Sequence, residues 1–163
     1  MSVFKSQFSR ALEVIPTDNA NVPYPAPIGS GTNTSAVTNQ LVNTSGNFIN
    51  LNVRTGDIVY NTTDGTAATV VSVTSATVIV LNADIFAASG KTYTIYQASS
   101  QTTIGNYGCF LYIGGAGNVR VTTIGQDIVT FTAVPLGTVL PVQVIKVHSS
   151  ASGTTATLIN ALW

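Results

Sequence analysis

GDIVYNTTDGTAATVVSV, residues 56–73, is the stretch whose reading decides the fold. Two runs dominated by β-branched and aromatic side chains flank Asp64-Gly65. An Asp-Gly step tolerates the positive φ that a tight hairpin turn demands. Period-two alternation places Ile58 and Tyr60 on one face and Asp57 and Asn61 on the other. Nothing in the hairpin carries chemistry, so it reads as scaffold.

The same pattern extends outward. Five runs of strand character occupy residues 48–53, 57–61, 68–73, 77–81 and 92–96. Tyr93 and Ile95 against Thr92 and Thr94 make a half-buried alternation, whereas residues 78–81 are apolar on both faces and read as central. Closely spaced antiparallel strands hide their edges best in a small barrel or a tight sandwich. A polar hinge at 98–107 then precedes further strands at 109–113, 118–123, 127–134, 142–148 and 155–163, with a break at Gly114-Gly115-Ala116-Gly117. Within 142–148 the apolar phase slips from Val142 and Val144 to Ile145 and Val147, the mark of a bulge or of burial on both faces. The expected fold is all-β. A small antiparallel barrel or sandwich covers 40–97, a second antiparallel β-sandwich unit covers 106–163, and a helix or extended arm covers 1–39.

Phe4, Phe8, Leu12 and Ile15 fall at helical spacing ahead of Pro16, which favours a helix over 1–15; Leu12 and Val14 also alternate around Glu13, as an extended arm would. From 18 to 38 three prolines, Pro23, Pro25 and Pro27, push their predecessors towards extended backbone. This segment is either a linker or an ordered arm lying across a neighbouring subunit, with Val22, Tyr24 and Ile28 as apolar anchors. At the other end Leu162 and Trp163 form an apolar terminus expected to dock in the core or in a subunit interface. These five residues are the candidate subunit or shell contacts.

Composition points the same way. Charged residues make up 7% of the 163, against roughly 25% in an ordinary soluble domain, and the formal net charge is zero. Mean hydropathy is +0.36. A surface so poor in charge lacks the repulsion that keeps monomers dispersed, so much of it is expected to be covered by other chains. No apolar run reaches the roughly 20 residues of a membrane helix. The first residues lack the pattern of a secretory leader, and no Lys/Arg cluster suggests a nucleic-acid surface.

Residues capable of chemistry are few and scattered. His148, the single histidine, follows Lys146 on what reads as the solvent face of a strand, and catalysis would require an orienting carboxylate and a nucleophile. Cys109, the single cysteine, sits in an apolar strand and reads as a buried, inert thiol. The six carboxylates, Glu13, Asp18, Asp57, Asp64, Asp84 and Asp127, form no ligand cluster in sequence; a cation site from Asp64 and Asp84 would have to assemble in space. The glycines at 114–117 lead into a strand and not a helix, which argues against a phosphate loop. No catalytic residue, cofactor or metal is expected.

Four segments, ALEVIPTDNANVPYP (11–25), GTNTSAVTNQLVN (31–43), VRTGDIVYNTTDGTAATVVSV (53–73) and GTTATLINALW (153–163), resemble virion structural proteins of tailed bacteriophages, particularly phages of marine bacteria and cyanobacteria. The resemblance implies a capsid- or tail-associated β protein without enzymatic activity, and it supplies no functional residues. The expectation is a capsid decoration (cement) protein on the outer head surface, made in the host cytoplasm. It would act as a homo-oligomer, a trimer, bound to the major capsid protein, with no direct contact to nucleic acid or membrane. A neck, tail or baseplate component and a glycan-binding adhesion module are the alternatives.

Overall fold

A computed structural model describes residues 8–98 and 108–163. Phe4 and most of the expected polar hinge fall in 1–7 and 99–107, outside the described residues. In chain order the strands are β1 (Ala11–Glu13), β2 (Pro27–Thr32), β3 (Ser35–Val37), β4 (Gln40–Val42), β5 (Ile58–Asn61), β6 (Thr66–Ser75) and β7 (Val78–Leu81). There follow β8 (Thr92–Tyr96), β9 (Cys109–Gly115), β10 (Gly117–Thr123), β11 (Ile128–Val134), β12 (Thr138–Val147) and β13 (Thr157–Leu162). They build two antiparallel sheets, ordered β2-β8-β5-β6-β7-β4-β3 and β1-β13-β9-β12-β10-β11. The protein is all-β, with a sandwich-like layout, as the alternation predicts.

In the seven-stranded sheet the 56–73 stretch forms the hairpin its sequence predicts, with Ile58 opposite Thr69 and Asn61 opposite Thr66. Gly65 turns the chain at φ +65°. β2 and β3 lie at opposite ends of the sheet, yet only Asn33 and Thr34 separate them. That link reaches no further than about 11 Å, so the sheet must curl until its ends approach. Two register shifts in β6, at Val70/Ser72 and Val73/Ser75, supply bending. Asn33 is buried at the corner, donating to the carbonyls of Ser35 (3.1 Å) and Ala88 (2.9 Å) and accepting from the Lys91 N–H (2.7 Å). Inside lie Leu41, Phe48, Val59, Ile79, Phe86 and Ile95.

Residues 48–53 are not the expected strand. Their backbone groups pair locally, Leu51 N–H to the Asn47 carbonyl (2.9 Å) and Val53 N–H to that of Phe48 (3.0 Å). Asn52 takes φ +58°, which asparagine tolerates better than most residues. Phe48 and Val53 point inward while Ile49 and Leu51 stay exposed, so the turn works as a plug.

In the six-stranded sheet Leu111, Ile113, Val119, Val121, Val144 and Ile159 make the core. The predicted phase slip in β12 is present as register shifts at Leu140/Val144 and at Thr122/Thr123. Gly114 and Gly115 do not break β9. They let β13 approach, since a Cβ on Gly114 would stand 2.7 Å from the Leu158 carbonyl.

The helix favoured over 1–15 is absent from its described part. Residues 11–13 pair with β13 instead, Leu12 opposite Ala161, which satisfies their backbone groups across strands. The chain then runs beside β12, the Thr17 N–H donating to the Val147 carbonyl (2.9 Å) and the Val22 N–H to that of Ile145 (2.8 Å), before entering β2. Residues 8–26 are therefore a strap across both sheets. Leu12, Ile15 and Ala20 of the strap pack with Ile58, Tyr60, Ala67 and Tyr96. β5 is consequently buried on both faces, Val59 inward and Ile58 and Tyr60 against the strap.

Candidate functional site

The five residues expected to contact a partner are largely engaged within the chain. Val22, 5% exposed, lies in the core of the six-stranded sheet, so it cannot serve as the intersubunit anchor expected of it. Its apolar side chain follows the strap's backbone pairing with β12 and is buried there. Tyr24 meets the Trp163 ring edge-on at 5.8 Å, and the Arg10 guanidinium lies 5.4 Å from the Tyr24 centroid. Arg10 Nη1 also donates to the Pro25 carbonyl at 2.9 Å. Leu162 sits between Ala11 of β1 and Phe110 of β9. Ile28 packs on the other core, inside the curled sheet. Tyr24, Leu162 and Trp163 thus clasp the strap to the C-terminal strand, and their remaining half-exposed surface faces outward.

A second fastening is polar. Asp18 Oδ1 stands 2.8 Å from His148 Nδ1, and Asp18 Oδ2 accepts from the hydroxyls of Ser149 and Ser152, the latter at 2.8 Å. The Lys146 ammonium donates to the Asp18 carbonyl at 3.2 Å. These donors hold the Asp18 carboxyl far below the usual carboxylate range, the Ser149 hydroxyl foremost. On its far side His148 Nε2 lies 2.9 Å from Thr122 Oγ1. His148 is not on an open solvent face, its side chain being 13% exposed.

Sequence reading missed this line of carboxylate, imidazole and hydroxyl, because 130 residues separate Asp18 from His148. The spacing matches the geometry by which a carboxylate orients a general base. Acyl transfer would also need N–H donors aimed at a developing oxyanion. Arg120, two residues along β10, donates Nη1 to the Ser152 carbonyl at 3.2 Å, and its Nε is sealed from solvent without a partner. What the cluster does in this structure is fix Asp18, and with it the strap, to the end of β12 and the 3-10 turn at Ser150–Ser152.

Between the sheets lies a cleft of about 620 Å³, with Asn19, Asn82, Gln126 and Lys146 among its walls. Part of its polarity is cross-linking: the Asn19 carbonyl accepts from Thr69 Oγ1 (2.8 Å) and Asn82 Nδ2 (2.7 Å). Asp57 is buried and satisfied, accepting from the N–H groups of Arg54 (2.7 Å) and Ala98 (2.8 Å). Asp64 pairs with Lys91 at 2.8 Å. Among the described residues no group of three or more His, Cys, Asp or Glu is placed to hold a metal ion. Burial pushes the Cys109 thiol up to about 12, consistent with an inert sulfhydryl.

The outward surface has a different character. β11 pairs with β10 alone and is the last strand of its sheet. It carries no charge, and Ile128 and Val129 are exposed along it. Tyr112 and Val139, paired across β9 and β12, are exposed as well, and so are Leu136 and Leu158. No protein-family model, curated protein or solved structure matches the chain.

Proposed function

We propose that the protein is a virion structural protein of a tailed bacteriophage, a capsid decoration (cement) protein that binds the outer head surface as a homotrimer and stabilises the shell. The observation that carries this reading is the uncharged open edge of β11, with Ile128 and Val129 exposed on it and Leu136 exposed in the turn that follows, on a chain only 7% charged. An exposed, apolar edge strand in a monomer is a template for association, and proteins that stay monomeric usually blunt such edges with charge or proline. The work is mechanical: burying apolar surface against sister subunits and the shell at about 25 cal/mol per Å², less the cost of association. The strap supports it too. Arg10 and Tyr24 hold the strap against Trp163, so strap and C-terminal strand are tied to one another, as suits a subunit that bears load.

Counting copies per virion by quantitative mass spectrometry tests the reading. Hundreds of copies support decoration of the head. Six or twelve would instead place the protein in the neck, tail or baseplate, and absence from particles would end the proposal.

A further inference from the structure

Under β1, where the strap crosses the outer face of β5 and β8, is a hollow of about 370 Å³ whose walls include Leu12, Glu13, Ile15, Tyr60, Thr62 and Tyr96. We infer that this hollow receives the ammonium or guanidinium end of a lysine or arginine side chain from a partner protein. Tyr60 and Tyr96, packed edge to face with ring centroids 5.2 Å apart, form one side of it, with aliphatic Leu12 and Ile15 beside them. The Glu13 carboxylate at the rim has no hydrogen-bond or ion-pair partner among the described residues. The half-exposed Tyr96 ring and a carboxylate with no partner among the described residues together suit a cation with an apolar stem.

Among the described residues no cation forms an ion pair with Glu13. Arg10 binds Pro25, Arg54 binds Asn52, Lys91 binds Asp64, Arg120 binds Ser152 and Lys146 binds Asp18. A neutral sugar fits less well. It needs several free polar groups and a flat exposed ring, but Tyr60 is 4% exposed and the Thr62 hydroxyl is already bonded to Thr92.

That the cation comes from a shell protein rests on the function proposed above, so the test has two arms. In the first, the full chain is titrated with Nα-acetyl-arginine amide and Nα-acetyl-lysine amide while NMR follows Leu12, Ile15, Tyr60 and Tyr96. Saturable shifts confined to these residues are expected, weakened about tenfold in Glu13→Gln, the scale of one charge-assisted hydrogen bond. Tyr96→Leu should weaken them as well, while Glu13, being exposed, leaves the fold intact when changed. No saturation, equal binding by Glu13→Gln, or the same shifts from N-acetylglucosamine would overturn the inference. So would binding that appears only after Lys5→Ala, because the chain's own lysine would then be the occupant.

In the second arm, shells lacking the protein are mixed with wild type and Glu13→Gln. Weaker capture of the variant is expected. If shells capture both equally, the hollow is not the contact although the decoration reading stands. If the cations titrate but shells capture neither, the decoration reading fails and the partner named here fails with it.

Discussion

The two sheets solve the same problem differently. The seven-stranded sheet curls until β2 and β3, its two ends, are joined by Asn33-Thr34, and its core is drawn from residues 28–95. The six-stranded sheet stays open. It imports Val14 and Val22 from the strap to finish its core, and it leaves β11 unpaired on one side. Val129 shows the consequence. It lies opposite Val121, which is fully buried, yet it is 40% exposed because no strand covers it from beyond β11. Closure satisfies a sheet's backbone from within, whereas an open sheet depends on what is laid across it or beside it.

The sharpest way to break this contrast is inside the curled sheet. Phe48 is fully buried though it comes from a turn, so Phe48→Ala should cost about 3–5 kcal/mol in denaturant unfolding. A loss near zero would mean that the core collapses readily around the gap, and that the turn does not plug it.

A smaller effect is expected at the strap. Asp18→Ala removes three side-chain partners from a 40% exposed carboxylate, worth about 1 kcal/mol once solvent screening is allowed for. Hydrogen exchange should accelerate at the amides of Thr17 and Val22 and remain unchanged at those of Val59 and Ile95. Equal acceleration in both sheets would show that strap and curled sheet open together. The pH dependence has the matching sign. Because the folded Asp18 carboxyl titrates below its ordinary value of 3.8, its contribution is complete above that pH and is lost as pH falls below it. Acid should therefore loosen the strap's amides in the wild type and do so less in Asp18→Ala.

The smallest effect on stability, and the most telling for association, belongs to the open edge. Val129→Lys should change unfolding by no more than about 0.5 kcal/mol, as exposed substitutions usually do. It should nonetheless lower the sedimentation coefficient at high protein concentration, since lysine on an edge strand opposes pairing. Unaltered association would move the interface away from β11.

Much of the fold was legible in local pattern. Alternation of Tyr93 and Ile95 with Thr92 and Thr94 predicts β8 as found, and Asp64-Gly65 marks the turn between β5 and β6. The phase slip at 142–147 foretold the irregular pairing of β12. Other features misled. Phe8, Leu12 and Ile15 keep helical spacing, but a three-residue pairing with β13 outweighs it. The apolar run at 48–53 reads as a strand although two of its large side chains face water. The polar fastening was invisible, since nothing near Asp18 announces a histidine 130 residues away.

By itself the sequence determined that this chain is built of strands, where its tightest turn falls, and that its surface is almost free of charge. Side-chain period and φ preference act over a few residues, and composition needs no coordinates at all. Only the tertiary structure decided that β5 is covered on both faces, that the strap's anchors serve its own sheet, and that Asp18 meets His148. Those outcomes depend on which distant backbone groups pair across strands, and a ladder's partners are selected by the whole packing, not by any short stretch of residues.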